Sequence, residues 1–250
     1  MKIKHILVSQ PAPADLAKSP YTKLADKYKL EVDYHKFIKI EGIPTKDFRQ
    51  SRINLLDYTA VIFTSRQAVD HYFRIAKDMR ADIPDDMKYF CISESTAFYL
   101  QKYIQFRKRK IFHGKLIFKD LLDVIKKHKD EKYLLPCSEI HKPDIPDSLT
   151  KNKINFDKAV IYRTLASDLS KVDMSKYDML VFFSPSGVKS LFKNFPEYKQ
   201  EETLIATFGT TTAKAAESLG LKINILAPTK KSPSMTMAIE EFIKAEKKRK

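Results

Sequence analysis

Two stretches of this chain, "VIFTSRQAVDHYF" at 61–73 and "LVFFSPSGVKSLF" at 180–192, share one pattern: an apolar run halts at small hydroxylated residues, then resumes with helical spacing. In each, a tyrosine stands seven positions before the shared serine, Tyr58 before Ser65 and Tyr177 before Ser184, so the two copies are 119 residues apart. A second pair lies at nearly the same offset, with "CISESTAFYL" aligning to "ATFGTTTAKAA" through Thr96 and Thr212, 116 residues apart. A strand, a tight turn and a helix recurring in the same order at near-equal spacing point to a duplicated α/β architecture.

The rest of the chain keeps the same rhythm. "KHILVS" reads as a short buried strand, and "SPYTKLADKYKL" as a helix capped by Ser19 with Pro20 in its first turn. "EVDYHKFIKIEG" alternates polar and apolar residues as a half-exposed strand does, and "TKDFRQSRINLL" reads as a helix. Then strands "AVIFT", "KYFCIS", "KIFH" and "KYLLPC" alternate with helices "AVDHYFRIAKDM", "STAFYLQKYI" and "FKDLLDVIKKH". After the alternating segment "FDKAVIYRTLAS", strands "DMLVFF", "LIATF" and "KINILA" alternate with helices "SGVKSLFKNF", "TTTAKAAESLG" and "SPSMTMAIEEFIKAEKK". Strands separated by helices of ten to fifteen residues are the mark of parallel sheets built from βαβ units.

At 250 residues with 43% apolar content, the chain is long enough for two cores of about 150 residues or fewer each. The extended segments 31–41 and 156–166 fall at the joins between the halves. If the first βα unit belongs with the C-terminal half, the chain crosses between domains twice there. The expected division is residues 1–35 with 167–250, residues 42–155, and linker strands 36–41 and 156–166 that pair as an antiparallel ribbon. Such a topology predicts a cleft between the domains, with a small-molecule site outside the carboxyl ends of the parallel strands.

The net charge is +15, from 46 basic and 31 acidic residues, which favours anionic partners without choosing among nucleic acid, phosphates and polycarboxylates. Basic residues cluster in "FRKRK" at 106–110 and in the tail "KAEKKRK", but neither interleaves aromatics as a nucleic-acid stacking platform does. A solvated edge and a frayed tail are the plainer reading, so nucleic acid is not the expected partner. No apolar run approaches the roughly 20 residues of a membrane span, and "MKIKHILVSQP" is too short and turn-ended for a signal peptide, so a cytoplasmic location is expected. Cys91 and Cys137 end strand-like runs without CxxC or CxxH neighbours and read as buried free thiols. The six histidines are scattered without metal-ligand spacing, and neither a metal nor a cofactor is expected.

The strand-to-helix turns carry the chemistry. The first amides of a helix lack intrahelical partners, its dipole makes that end partially positive, and small hydroxylated residues let an anion approach and add donors. Thr64, Ser65 and Arg66, then Ser93, Ser95 and Thr96, fit this role in the first copy; Ser184, Ser186 and Gly187, then Gly209, Thr210, Thr211 and Thr212, fit it in the second. Ser138 in "PCSE" is a weaker instance. Any one turn is explained by helix capping, worth about 1 kcal/mol. Four or five together suggest a ligand with several negative charges. The usual nucleotide cradles GxxxxGK[ST] and GxGxxG are absent, as is the nucleophile elbow GxSxG.

The strand-Thr-Ser-helix in the middle, "AVIYRT" at the second join, "FFSPSGV" after it, and "FGTTTAKAAESLGL" followed by "APTKKSPSMTMAI" closely resemble the uroporphyrinogen-III synthase family, in the family's order over nearly the whole chain. The resemblance implies two flavodoxin-like or Rossmann-like parallel-sheet domains joined by a two-stranded antiparallel linker, with the active site in the cleft. It implies a cofactor-independent lyase that closes hydroxymethylbilane, a linear tetrapyrrole with eight carboxylates, into uroporphyrinogen III with inversion of ring D and loss of water, in haem and tetrapyrrole biosynthesis. Tyr162 in "AVIYRT" matches a tyrosine that family members present to the cleft, and its phenol suits protonation of the departing hydroxyl. Members often carry an Arg-Pro pair after the first strand, where this chain has Ser9, Gln10 and Pro11, so that one cationic contact is either missing or supplied by Arg66 or Lys142. The glycine usual in the first "GxxTA" turn is Ser93 here, whereas Gly209 keeps its place in the second. A monomer acting on a small polycarboxylate is the expectation, with a non-catalytic binder of a tetrapyrrole or other polyanion as the alternative on the same fold.

Overall fold

The first apolar run becomes β1 (His5–Val8), with Ile6, Leu7 and Val8 almost wholly enclosed in the computed structural model, which describes residues 3–115, 117–141 and 143–248. Helix α1 (Pro20–Tyr28) starts as its sequence suggests, the Ser19 hydroxyl accepting from the Tyr21 amide, and stops where Lys29 turns left-handed. There follow β2 (Glu31–Tyr34), β3 (Ile38–Gly42), α2 (Thr45–Gln50), β4 (Ala60–Phe63), α3 (Arg66–Met79), β5 (Lys88–Cys91), α4 (Glu94–Tyr99), β6 (Ile111–His113), α5 (Phe118–Ile125) and β7 (Tyr133–Ser138). The chain continues through α6 (Asp144–Lys151), β8 (Phe156–Ala166), β9 (Met179–Phe182), α7 (Pro185–Asn194), β10 (Leu204–Phe208), α8 (Thr210–Glu217), β11 (Ile225–Ala227) and α9 (Met235–Lys248).

These elements form two compact units, Met1–Lys39 with Leu165–Lys250, and Ile40–Thr164. The first holds a sheet in the order β11-β10-β9-β1-β2, the second a sheet in the order β3-β8-β7-β4-β5-β6. Neighbours from β11 to β2 and from β8 to β6 run parallel. Alternation along each strand fills two cores per sheet: Val61 and Phe63 of β4 enter one, Ala60 and Ile62 the other, just as Ile6 and Val8 of β1 part from Leu7. Helices on both faces are what make such strands read as continuous apolar runs.

Counted from β4, the second sheet runs third-second-first-fourth-fifth, so its strand order reverses between β4 and β7. The first sheet repeats this order if β9 is counted first and β1 and β2 fourth and fifth. Registers agree as well: Ala60 of β4 faces Tyr133 as Met179 of β9 faces Ile6, and one step on, Leu134 faces Asp157 as Leu7 faces Asp33. The matched tyrosines then do the same thing. Tyr58 donates to Asp157 and Tyr177 to Asp33, both at 2.9 Å.

The structure corrects three expectations. Residues 31–41 are not one strand: they break at 35–37, leaving β2 parallel to β1 in the first sheet and β3 in the second. Segment 156–166 is more than a linker, because β8 pairs along its first half with β7 in parallel; its later part meets the 37–43 stretch, where Ile43 donates to the Ile161 carbonyl and Ser167 to the Phe37 carbonyl, an antiparallel register. "TKDFRQSRINLL" holds only a short α2 and, after a turn, a 3-10 turn at Leu55–Asp57 capped by Asn54. Its matching 3-10 turn, Met174–Lys176 capped by Asp173, lies 119 residues later.

Candidate functional site

In open parallel sheets the crevice for ligands opens at the carboxyl ends of the strands where the order reverses. In the second unit that point lies between β4 and β7. Ser65 ends the turn after β4 and caps α3, its hydroxyl oxygen accepting from the Ala68 amide at 3.1 Å; Thr64 and Ser65 are half-buried and Arg66 is exposed. Ser138 closes β7, 9% exposed, and its hydroxyl has no partner among the described residues.

Opposite Ser138 stands Tyr162 of β8, brought there by a bulge: Cys137 faces Val160, but Ser138 faces Tyr162, so Ile161 is passed over. Simple alternation would turn Tyr162 to the face of exposed Val160. The extra residue instead sets Ile161 and Tyr162 against the same core as Ala159, on the α3 side of the sheet. There the Tyr162 ring stacks on His71 of α3, centroids 5.4 Å apart and planes at 21°. Burial raises the phenol above its ordinary value, while a hydrogen bond with the Ser65 hydroxyl pulls the other way. The group is therefore a protonated donor at neutral pH. Cys91 and Cys137, both free, are pushed up by burial to about 12 and about 11, so neither supplies a thiolate.

One strand further out, Ser93 caps α4, taking the Thr96 amide at 3.3 Å and sharing hydrogen bonds with the Ser95 and Thr96 hydroxyls at 3.1 Å. Ser93 and Thr96 are enclosed and satisfied within their own turn, and only Ser95 of the three is exposed. Arg66 lies over the Tyr99 ring at 5.3 Å, and the Tyr99 hydroxyl is held by Asp70, which also takes Lys102 and Tyr103. Lys142 lies outside the described residues.

In the first unit the order reverses between β9 and β1. Ser184 caps α7 by accepting from the Gly187 amide at 3.1 Å, and Ser9 closes β1 while donating its amide to the Val181 carbonyl. A methyl at Gly187 would sit 3.5 Å from the Ser184 hydroxyl and 3.6 Å from that of Ser9, so these three residues gather in one place. Pro185 occupies the first turn of α7 without an amide to satisfy, which leaves the Ser186 amide pointing out of the helix start. Gly209 opens α8 at φ 86°, a conformation that favours glycine, with its amide on the Ala227 carbonyl. Thr210 and Thr211 are exposed there, whereas Thr212 is enclosed. The Thr96 and Thr212 amides are likewise spent within their turns, on the Ser93 hydroxyl and the Gly209 carbonyl, so these two threonines shape the turns rather than face outward.

His71, Arg74, Asp70 and Tyr99 were not singled out by sequence reasoning. Asp70, His71 and Arg74 lie in the helical pattern "AVDHYFRIAKDM" and Tyr99 in "STAFYLQKYI", and in such a pattern an imidazole aimed at a strand is indistinguishable from one aimed at water. No helix among the described residues is long and apolar enough to cross a membrane.

The family model described as "Uroporphyrinogen-III synthase HemD" matches residues 21–237. A Methanocaldococcus jannaschii protein that carries this synthase name provisionally is 29% identical over 201 residues, 74% of this chain and 79% of its own length. A uroporphyrinogen-III synthase of Chlorobaculum parvum is 28% identical over 124 residues, 46% of this chain and half of that protein. Among solved structures, the uroporphyrinogen-III synthetase of Helicobacter pylori matches 97% of this chain and 100% of its own, with TM-score 0.59 and 17% identity. A mutant uroporphyrinogen III synthase of Thermus thermophilus matches 98% of this chain and 99% of its own, with TM-score 0.55 and 16% identity; at such identities these two likenesses speak to the fold.

Proposed function

The chain belongs to the uroporphyrinogen-III synthase family, and from that premise we propose that it closes hydroxymethylbilane into uroporphyrinogen III, with Tyr162 as the acid and the strand-to-helix turns as the carboxylate-binding groups. The observation that carries this reading is the placement of Ser65, Ser138 and Tyr162 at the reversal point of one sheet, and of Ser9, Ser184 and Gly187 at that of the other.

Eight carboxylates call for many donors. The amides and hydroxyls at Thr64, Ser65, Ser95, Ser184, Ser186, Thr210 and Thr211, with the backbone at Ser93, supply them without a metal or cofactor, while Thr96, Gly209 and Thr212 hold those turns in shape, and Arg66 and Lys142 add cations. Departure of the hydroxyl as water needs one proton delivered to oxygen as the carbon–oxygen bond breaks, leaving an azafulvenium cation. A half-buried, protonated phenol fits that task. Ring D, held by its carboxylates, then attacks the cation through its substituted carbon to form a spiro centre; the bond from that carbon to the ring C bridge breaks to leave a second azafulvenium, and the free α-carbon of ring D captures it and loses its proton, which inverts the ring. The working unit is a monomer with a small-molecule partner. Of "FRKRK", Arg107 and Lys110 are engaged with Asp85, which supports a structural use of that edge over nucleic-acid binding.

Incubation with enzymatically generated hydroxymethylbilane, followed by separation of type I and type III isomers, tests the reading. Type III product above the spontaneous background is expected. Type I alone, alongside measurable binding of the substrate, would leave the chain a non-catalytic binder.

A further inference from the structure

The imidazole beneath Tyr162 is itself held. His71 and Arg74 lie three residues apart on α3 and so share a face. The Arg74 Nε donates to the His71 Nδ1 at 3.4 Å, its Nη2 to the Ile43 carbonyl at 2.8 Å and to the Ile161 carbonyl at 3.4 Å, and its Nη1 to Asp78 at 3.3 Å. One guanidinium thus ties α3 to the segment after β3 and to the carbonyl immediately before Tyr162. Gly42 explains how it fits: a methyl there would lie 2.8 Å from the Arg74 Nε and Nη2, so any side chain at 42 would push the guanidinium off. The glycine serves as bare surface, since no unusual backbone angle is involved at that position.

We propose that Arg74 and His71 are positioning residues for Tyr162, Arg74 fixing the imidazole through Nδ1 and the imidazole fixing the phenol through its face. Because Nδ1 accepts from Arg74, the ring is neutral and carries its hydrogen on Nε2. Burial and the Arg74 charge both keep it so, against the opposing pull of Asp70. A neutral ring stacked on a phenol restricts its swing without competing for its proton, and an acid must be oriented to be useful. The arrangement lies wholly within the Ile40–Thr164 unit.

This inference rests on Tyr162 acting as the acid, so the test uses two readouts. His71→Ala and Arg74→Met are made alone and with Tyr162→Phe, together with the gentler His71→Phe and Arg74→Lys in case the first pair fold poorly. The kcat and KM are measured on hydroxymethylbilane, and the Tyr162 ring signal is followed by NMR of 13C-tyrosine protein, identified by its loss in Tyr162→Phe. The expected result is a shifted Tyr162 signal and a fall in kcat of about tenfold with KM little changed. His71→Phe should recover most of the rate, and no further loss should appear in the Tyr162→Phe background. A loss of equal size in that background, or an unmoved Tyr162 signal, overturns the proposal. If Tyr162→Phe alone keeps full activity, the acid assignment fails, and the ring signal alone decides: positioning stands if it shifts and falls if it does not.

Discussion

Tyr162 is the residue on which most depends, and its environment gives a directional expectation. With burial holding the phenol above its ordinary value near 10, it stays protonated across the neutral range, so its contribution to kcat should be flat from pH 6 to 9. Tyr162→Phe should slow turnover roughly 10² to 10⁴-fold, the usual worth of general acid assistance, with KM nearly unchanged and the residual product still type III because the turns are intact. Steady-state rates and isomer analysis on the variant check this, and full activity would return Tyr162 to a packing role. The tyrosine was readable in "AVIYRT" through its family likeness. Its direction was not, because alternation places 162 on the opposite face from 161 and only the bulge against Cys137 and Ser138 brings the two together. Bulges depend on the partner strand, so no local pattern announces them.

At the level of the strand-to-helix turns, ligand affinity and helix stability can be separated. Ser186 sits early in α7, right after Pro185, where proline is sterically tolerated because the helix needs no amide from its first turn. Ser186→Pro should therefore leave the melting temperature close to that of the parent while weakening substrate binding by about 1 to 1.5 kcal/mol through loss of one amide donor. Calorimetric unfolding and KM measured side by side test it, and a large drop in melting temperature with unchanged KM would show the amide to be structural. Gly209→Ala behaves in the opposite way. No atom lies within 4 Å of the added methyl, so the cost is conformational: at φ 86° it should destabilise by about 1 kcal/mol or more, measurable by urea unfolding. These turns were legible because Ser, Pro, Gly and Thr after an apolar run have few other uses. Segment 31–42 reads as one strand because residues 31–34 and 38–41 alternate in the same phase; the lapse at Lys36 and Phe37 between them marks where the chain leaves one sheet for the other, and alternation carries no information about which sheet a strand joins.

Across the whole chain, the duplication heard first in Tyr58 and Tyr177 extends further than the sequence showed. Both units arrange five strands in one order, but the fourth and fifth strands of the first unit, β1 and β2, come at the start of the chain rather than after the third. The tyrosine partners Asp33 and Asp157 therefore sit out of order relative to the tyrosines, and no fixed offset links them; only register across the sheets reveals the match. Each pair pins a 3-10 turn at the strand's amino end to the fifth strand. The Lys176 ammonium lowers the Asp33 carboxyl and Tyr177 adds to this, while burial and then the carboxylate raise Tyr177; burial and Asp157 likewise raise Tyr58. A lowered carboxyl stabilises the fold above its ordinary value near 3.9 and loses that contribution as pH falls below it; a raised phenol stabilises below about 10 and loses that contribution as pH climbs past it. Tyr58→Phe and Tyr177→Phe should then each destabilise by about 1 kcal/mol at pH 7, since each removes a hydrogen bond to a carboxylate, and the double variant should show the sum because the pairs share no partner. In urea unfolding followed from pH 7 to 11, the parent should weaken above pH 10 more steeply than the double variant, which no longer has these two phenols to ionise on unfolding. Equal alkaline slopes in parent and double variant, or a loss confined to one of the two singles, would mean that the pairs are alike in geometry and not in energy.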